Sequence, residues 1–179
     1  AQNNGNMTFT GMGYIESNLS YVAYLGAADF NGDNYVELVG ASGPEVKYYI
    51  NNSGTSFTKK QLNKSLYLVK SACSGDFDND GDIDLMAIGY LNNMFYRNDG
   101  NDIFTPISVF STNNTFGGEE CRAADMDSDG DMDVLYTEGT GNSINWLENQ
   151  GGGTFVYRTV YGLVDAKCVF AVDYDFDGD

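Results

Sequence analysis

Short apolar runs alternate with polar turn clusters along the whole chain. Clusters such as Ser42-Gly43-Pro44 separate runs that are rich in aromatic and β-branched residues, a pattern typical of β-strands. In the first third, four such runs cover residues 21–28, 36–41, 46–50 and 57–62. No window of 11 residues sustains the 3.6-residue period of an amphipathic helix. The pattern therefore predicts an all-β fold.

An aspartate-rich stretch recurs at regular steps. Residues 76–84 have the sequence DFDNDGDID, and residues 125–133 have the sequence DMDSDGDMD. A looser copy, DFNGDNYVE, covers residues 29–37, and a shorter copy, DYDFDGD, covers residues 173–179. The first aspartates fall at 29, 76, 125 and 173, so the steps are 47, 49 and 48 residues. Steps this regular indicate one supersecondary unit per period.

A second motif, aromatic-x-x-Asn-x-Gly, keeps the same phase. It occurs as YINNSG at 49–54, FYRNDG at 95–100 and WLENQG at 146–151. A phenylalanine follows each glycine after three or four residues, at Phe57, Phe104 and Phe155. Four short antiparallel strands in about 48 residues match the size of a β-propeller blade. We expect the leading aromatics, Tyr49, Phe95 and Trp146, to pack between blades, although such rings could also stack on sugars.

The aspartate stretch has the composition of a cation-binding loop. Oxygen-bearing side chains occupy its positions 1, 3, 5 and 9, where like charges repel one another unless a cation lies among them. Position 6 is glycine or Asn34, both of which tolerate a left-handed backbone. Position 8 is apolar, so we expect it to anchor the loop in the core. Side chains at positions 1, 3, 5 and 9, with the carbonyl of position 7, can surround a hard cation. An all-oxygen donor set favours calcium over zinc, and calcium's tolerance of irregular geometry favours it over magnesium.

Two other interpretations of these loops fit less well. Solvated acidic turns would place carboxylates irregularly, whereas here glycine and apolar positions recur in register with them. A helical EF-hand requires glutamate at position 12, where this chain has Gly40, Ala87 and Tyr136.

DFDNDGDID and DMDSDGDMD, each followed by the aromatic-x-x-Asn-x-Gly segment, resemble the FG-GAP/VCBS repeats of integrin α-subunit propellers and of many secreted proteins. The resemblance implies a calcium-binding β-propeller, secreted or at the cell surface, with each calcium loop between the first and second strands of a blade. It also implies metal ligation by positions 1, 3, 5 and 9 and by the carbonyl of position 7. These residues are Asp29, Asn31, Asp33, Tyr35 and Glu37; Asp76, Asp78, Asp80, Asp82 and Asp84; Asp125, Asp127, Asp129, Asp131 and Asp133; and Asp173, Asp175, Asp177 and Asp179.

The repeats divide the chain into an outer strand of a preceding or closing blade, three complete blades and the start of a truncated fourth. These parts cover residues 1–16, 17–64, 65–112, 113–161 and 162–179. Because a propeller avoids exposed sheet edges by closing its ring, we expect an arc of a larger propeller. The resemblance implies about seven blades. Further sequence, a second copy or neighbours in an assembly would complete the ring, or one more blade would close a four-bladed ring.

Charge and composition limit the classes of partner that the chain can bind. The chain has 9 basic and 26 acidic residues and a formal charge of −17, which opposes nucleic-acid binding. No apolar run has the length of a membrane span. Five lysines, Lys47, Lys59, Lys60, Lys64 and Lys70, cluster in one region, where they form a solvated face or dock an acidic partner.

Catalysis has little support in the sequence. The chain has no histidine, and the four loops contain 17 of its 26 acidic residues. Outside the loops, Glu119 and Glu120 are the only adjacent carboxylates, and neighbours on a strand point to opposite faces. We therefore expect no enzyme but an extracellular module for adhesion, recognition or structural assembly with a protein or carbohydrate ligand. The alternatives are a non-catalytic part of a secreted carbohydrate-active enzyme and a sugar-binding lectin.

Two further features concern modification. Cys73, Cys121 and Cys168 precede their loops by three to five residues, which favours buried free thiols, with a Cys73–Cys121 or a Cys121–Cys168 bridge as alternatives. Asn-x-Ser/Thr sequons, which would carry glycans in a secreted eukaryotic protein, occur at Asn6, Asn18, Asn51, Asn63 and Asn113.

Overall fold

A computed structural model describes residues 2–3, 9–10, 14–17, 22–63, 66, 68–90, 92–109, 118–138, 143–162 and 166–172. These residues form strands, turns and bends, and none of them belongs to a helix that could cross a membrane. The all-β prediction is confirmed.

Fourteen strands form one two-stranded sheet and three four-stranded antiparallel sheets. Strands β1 and β2 pair with each other, and we refer to the sheets β3–β6, β7–β10 and β11–β14 as blades 1, 2 and 3. Within each blade the strands are adjacent in chain order, as the propeller prediction requires. The strands are β1 (Gln2–Asn3), β2 (Phe9–Thr10), β3 (Tyr24–Ala28), β4 (Glu37–Ser42), β5 (Glu45–Asn51), β6 (Phe57–Asn63), β7 (Val69–Gly75), β8 (Asp84–Gly89), β9 (Asn93–Asn98), β10 (Phe104–Val109), β11 (Gly118–Ala124), β12 (Asp133–Glu138), β13 (Ser143–Asn149) and β14 (Phe155–Gly162).

The aspartate loops join the first and second strands of every blade. They follow β3, β7 and β11 and lead into β4, β8 and β12, so all three lie at equivalent positions. This placement is the one that the FG-GAP resemblance implied. Within residues 1–16, β2 pairs with β1, and the assignment of this segment as the outer strand of another blade stays a prediction. The division of the chain into blades at the predicted boundaries stays a prediction.

The first three strands of blade 2 are mainly buried on both faces because the blade lies between the other two. Successive residues on a strand point to opposite faces. Accordingly, Leu85 and Ala87 of β8 pack into a cluster shared with blade 1, whereas Met86 and Ile88 pack into a cluster shared with blade 3. The hydrophobic core of the protein therefore consists of two layers between stacked sheets.

A triad of aromatic rings closes each layer beside the aspartate loops. Phe30, the second residue of the first loop, makes edge-to-face contacts with Tyr48 of blade 1 at 5.8 Å and Phe104 of blade 2 at 6.0 Å. Phe77 makes the equivalent contacts with Phe95 at 5.9 Å and with Phe155 of blade 3 at 5.8 Å. Edge-to-face geometry is favourable for aromatic rings. The first and second loops are thus each anchored by a ring that the next blade covers.

The position that anchors the loops differs from the prediction. Ile83 and Met132, at position 8, pack against the core layers, but Val36 at the same position is 48% exposed. Position 2 is the consistent anchor where another blade covers it, since Phe30 is 3% and Phe77 0% exposed. An aromatic residue fills the space between two sheets, whereas position 8 lies at the rim of the loop.

Candidate metal centre

Two positions of each loop have a left-handed backbone. Position 6 is left-handed at Asn34, Gly81 and Gly130, with φ of 68°, 95° and 93°, as the sequence predicted. Position 4 is left-handed as well, at Gly32, Asn79 and Ser128, with φ of 73°, 60° and 60°. The left-handed backbone at position 4 was not predicted from the sequence. These turns fold the loop tightly, so that its backbone N–H groups face the side chains of its own first half.

The carboxylate at position 1 organises the loop. Asp29 accepts hydrogen bonds from the N–H groups of Gly32 at 2.8 Å and Asn34 at 2.8 Å. Asp76 accepts one from Gly81 at 3.0 Å, and Asp125 accepts one from Gly130 at 3.0 Å. The shared bond from position 6 fixes position 1 in all three loops.

The carboxylate at position 9 is fully buried. Asp84 accepts the Phe77 N–H at 2.9 Å with one oxygen and the Asn98 N–H at 2.7 Å with the other. Asp133 makes the same two bonds, with Met126 at 2.9 Å and Asn149 at 2.7 Å. Glu37 repeats the arrangement in the first loop, and all three residues are 0% exposed. Position 9 therefore ties the loop to the end of the third strand.

Three carboxylates converge in each described loop, with oxygen atoms within 4.8 Å of one another. Positions 1, 3 and 9 form the group in the second and third loops, and positions 1, 5 and 9 form it in the first. The groups are Asp29, Asp33 and Glu37; Asp76, Asp78 and Asp84; and Asp125, Asp127 and Asp133. Such oxygen clusters could hold a divalent cation.

The other predicted ligands have different surroundings. Asp80 and Asp129 accept the N–H groups of Asp82 and Asp131 at 2.9 Å, a bond from position 7 to position 5. Asn31 accepts the Asp33 N–H at 3.1 Å. Ligation by the position 7 carbonyls of Tyr35, Asp82 and Asp131 stays a prediction. The fourth loop, with Asp173, Asp175, Asp177 and Asp179, lies outside the described residues.

The electrostatics of the clusters fit a bound cation. Burial and then the neighbouring Asp80 charge raise the pKa of Asp78, whose buried Oδ1 has no hydrogen-bond partner in the protein. Burial raises the pKa of Asp84 to about 7 and also raises the pKa values of Asp133 and Glu37. A buried carboxylate without a partner is costly, and a cation would supply both its charge and its missing contact. The residues present therefore fit calcium.

The asparagine of the second motif joins neighbouring blades. Asn98 Nδ2 donates to the Phe30 carbonyl of the first loop at 2.7 Å and to the Ile83 carbonyl of its own loop at 3.0 Å. Asn149 makes the matching bonds to Phe77 at 2.7 Å and Met132 at 3.0 Å. Each asparagine therefore connects two loops.

In blade 1 the motif is displaced by one residue from the sequence alignment. Asn51, not Asn52, donates to the loop carbonyl of Val36 at 2.9 Å and accepts the Gly54 N–H at 2.7 Å. Tyr48, not Tyr49, is correspondingly the member of the aromatic triad. The predicted core role holds for Phe95 at 0% and Tyr49 at 6% exposure, whereas Trp146 is half-buried.

The loops also contact their neighbours directly. Asn79, at position 4 of the second loop, donates through Nδ2 to the Asp131 side chain of the third loop. The first loop has Gly32 at this position and reaches blade 2 differently, since Asn31 Nδ2 donates to Asp102 Oδ1 at 3.3 Å. Tyr48 also donates to Asp102, at 2.6 Å.

Three lysines of the basic cluster are engaged by groups of the protein itself. Lys47 and Lys59 both form ion pairs of 3.1 Å with Glu16, which also accepts a hydrogen bond from the Tyr49 hydroxyl. These contacts, Tyr49 first, lower the pKa of Glu16 to about 2. Lys60 donates to the Asp102 carbonyl at 2.6 Å. Among the described lysines, three of the cluster are thus engaged internally, and Lys64 lies outside the described residues.

The remaining candidates have structural contacts. Glu120 pairs with Arg122, and Glu119 lies 4.0 Å from Lys167. Cys73 and Cys121 are buried free thiols as predicted, but Cys168 is exposed. The side-chain amide of Asn51 is used inside its loop, which opposes glycosylation there. Asn63 ends β6, and the sequons Asn6, Asn18 and Asn113 lie outside the described residues.

Comparison with curated proteins found no match. Among solved structures, the chain is similar to a lectin from Agrocybe aegerita that is described as recognising non-reducing terminal N-acetylglucosamine. The TM-score is 0.55 and the sequence identity 18%, over 78% of this chain and 38% of the lectin chain. At this identity the likeness concerns the fold. The chain spans well under half of that lectin's length.

The family comparison is more specific. The model of the FG-GAP-like repeat matches three times, over residues 29–86, 76–136 and 125–179. Together these matches cover most of the chain, and successive matches overlap at the aspartate loops. The chain therefore belongs to the FG-GAP-like repeat family.

Proposed function

We propose that this chain is a calcium-stabilised β-propeller module that acts outside the cell in adhesion, recognition or structural assembly. The observation that carries the proposal is the threefold convergence of carboxylates in equivalent loops. Asp78, with its buried and unpartnered oxygen, marks the second loop as a cation site in particular.

Calcium has a defined structural task in this proposal. When bound, the ion neutralises the clustered charge of each loop. The protein's own residues do the rest, because Asp84 and Asp133 hold the loops against the ends of the third strands. Asn98 and Asn149 then connect each blade to the loop of the preceding blade through hydrogen bonds. The cation thus stabilises interfaces between blades as well as single loops.

A role in binding, without catalysis, is supported by the ion pairs of four acidic residues outside the loops. Glu16, Glu119, Glu120 and Glu148 all lie against basic side chains. Hydrogen bonds from Tyr49 and the two lysines lower the pKa of Glu16, and the Arg158 hydrogen bond lowers the pKa of Glu148, which suits structure better than proton transfer.

The partner on the open faces is, in this proposal, a further blade of the same kind. Met126 occupies position 2 of the third loop and is 39% exposed, whereas its equivalents Phe30 and Phe77 are covered by the next blade. Leu25, on the first strand of blade 1, is 67% exposed. Further sequence or a neighbouring copy would cover these residues, and light scattering of the isolated chain would detect self-association.

The experiment that tests calcium binding is isothermal titration calorimetry of protein freed of metal with a chelator. Addition of CaCl₂ should give saturable binding to the loops, and MgCl₂ should bind more weakly because it tolerates irregular geometry less well. Absence of saturable calcium binding would contradict the proposal.

Carbohydrate recognition is a second candidate, favoured by the fold shared with the Agrocybe aegerita lectin. A glycan array probed with and without calcium separates a lectin from a protein-binding module. Reproducible binding to one class of glycan would support the lectin, and its absence would favour a protein ligand. If the module is instead a non-catalytic part of a carbohydrate-active enzyme, the full-length gene should also encode a catalytic domain.

A further inference from the structure

Two cysteines of neighbouring blades meet across the layer between blades 2 and 3. Cys73 lies on β7 and belongs to the apolar cluster that blade 2 shares with blade 3. Cys121 lies on β11 and belongs to the same cluster from the other side. Cys73 is 7% and Cys121 0% exposed. Both thiols are therefore enclosed within one interface.

Hydrogen bonds place the thiols side by side. Ser71 and Cys73 are two residues apart on β7 and so share a face of the strand. Ser71 Oγ accepts the Cys121 N–H at 3.2 Å and lies 3.6 Å from Cys121 Sγ. The neighbouring Cys121 side chain, and then burial, raise the pKa of the Cys73 thiol. The shared apolar cluster and the Ser71 contacts place the two cysteine side chains next to each other.

The third cysteine lies on the other side of β11. The Cys168 thiol is exposed, and the neighbouring Glu120 side chain raises its pKa. Glu120 and Cys121 are consecutive in a regularly paired part of the strand and therefore point to opposite faces. Cys168 is thus separated from Cys121 by the strand itself.

We propose that Cys73 and Cys121 are the site of a disulfide that joins blades 2 and 3, formed by exchange with a small-molecule disulfide such as oxidised glutathione. One cysteine thiolate attacks the oxidant, breaks its S–S bond and releases one small-molecule thiol. The other thiolate attacks the resulting mixed disulfide at the protein sulfur and releases the second. The two cysteines lose two electrons and two protons, which the two released thiols carry. The proposal does not depend on calcium.

The bond would fasten the interface at a place that the metal loops do not reach. Asn149 and Phe77 hold blades 2 and 3 together beside the loops. Cys73 and Cys121 lie on the first strands of the two blades, several residues before those loops. Because the thiols are buried, exchange takes place during folding, before the two sheets have closed on each other.

Peptide mapping under non-reducing conditions tests the proposal. The full chain is refolded in a buffer of reduced and oxidised glutathione, alkylated in denaturant and digested. We expect a linked peptide pair that contains Cys73 and Cys121, an intact mass lower by about 2 Da, and an alkylated Cys168. Separate alkylation of Cys73 and Cys121, or a Cys121–Cys168 link, would overturn the proposal.

Thermal unfolding provides a second measurement. Adding reductant to the oxidised protein should lower the melting temperature by about 5–15 °C. Cys73→Ser should abolish this response, whereas the matched variant Cys168→Ser should retain it. A melting temperature of the unsubstituted oxidised protein that does not change with reductant would also overturn the proposal, even if Cys73→Ser fails to fold.

Discussion

The side-chain amide of Asn98 in blade 2 donates a buried hydrogen bond of 2.7 Å to the backbone carbonyl of Phe30 in blade 1. The two residues are 68 positions apart, and the same bond recurs one blade later between Asn149 and Phe77. A repeat motif that looks local in the sequence therefore makes its decisive contact with the neighbouring repeat.

Asn98→Ala should destabilise the protein by about 2–4 kcal/mol, because two buried carbonyls lose their donor. The matched variant Asn52→Ala removes the asparagine that the sequence alignment favoured, whose amide bonds only Ser56 and Thr58 at the surface. That variant should change the free energy of unfolding by less than about 0.5 kcal/mol. Urea denaturation measures both, and equal effects would contradict the structural register.

Gly153→Ala should be more harmful than Gly152→Ala. Both glycines are left-handed, with φ of 70° and 62°, so both variants incur backbone strain of about 1–2 kcal/mol. A Cβ on Gly153 would also lie 2.4 Å from the Phe95 ring, whereas one on Gly152 would meet nothing within 4 Å. The clash should add about 1–3 kcal/mol. Indistinguishable chemical denaturation curves would contradict the close packing of blades 2 and 3.

The effect of Asp78→Ala on the free energy of unfolding should change sign when calcium is added. In chelator it removes a buried, repelled carboxylate and should leave stability unchanged or slightly higher. With calcium at 100 times its dissociation constant, the variant should lose the stabilisation by the ion at the second loop, which lowers the free energy of unfolding by up to about 2.7 kcal/mol. Asp99→Ala is the control, because Asp99 pairs with Arg97 outside the loops. Melting temperatures that shift equally for Asp78→Ala in both conditions would argue against a metal at the second loop.

The metal-free protein should become more stable on mild acidification. The pKa of Asp84 is about 7 in the folded state and about 4 when unfolded, so the folded state binds more protons between these values. Stability should therefore fall as pH rises from about 4 to 7 and level off above. Asp78, Asp127, Asp133 and Glu37 have raised pKa values and act in the same direction. Glu16, with its pKa lowered to about 2, acts only at lower pH.

Melting temperatures in chelator from pH 8 to pH 5 check this dependence. Excess calcium should remove or reverse the trend, because binding requires ionised carboxylates. A metal-free melting temperature that falls on acidification across this range would contradict the burial of Asp84. The variant Asp84→Asn should flatten the curve.

Calcium binding to the second loop should strengthen binding to the third. Asn79 reaches from the second loop to Asp131 of the third, so ordering one loop favours the other. Asp78→Ala should weaken calcium binding at the third loop about fivefold or more, followed through the Gly130 amide resonance. In an Asn79→Ala background the effect should become smaller, because only the Asn149 bonds then connect the second and third loops. The first and second loops, where Gly32 replaces Asn79, should be coupled more weakly, because among these bonds only those of Asn98 connect them. An unchanged calcium affinity of the third loop in Asp78→Ala would refute this coupling.

The sequence was sufficient for the repeat, the strands and the acidic loops, because these follow from spacing and composition within one unit. The left-handed backbone at position 6 also followed from Asn34, Gly81 and Gly130. The register of the second motif in blade 1 could not be predicted correctly in this way, because the spacing from asparagine to glycine differs there. The six-residue spacing from Asn51 to Phe57, shared with Asn98–Phe104 and Asn149–Phe155, was the signal that could have identified it.

The packing of aromatic residues between blades was predicted, but the partners that they meet there could not be. The burial of Phe30 and Phe77 depends on Phe104 and Phe155 from the following repeat. The exposure of Val36 depends likewise on which residues lie beside the loop in space. These are tertiary facts that no local pattern contains. The position 9 carboxylates were predicted as ligands, but their bonds to the third strand were not.

The asparagine bonds form an unbroken line around the arc, from the Phe30 carbonyl through Asn98 to Asp84 and onward from Phe77 to Asn149. All of its links between blades run in one direction, from a later blade to the loop of an earlier one. Under mechanical load, force applied to one blade would pass to the next through these hydrogen bonds and the loop that they hold. Loops filled with calcium would then determine how much load the arc withstands before its blades part.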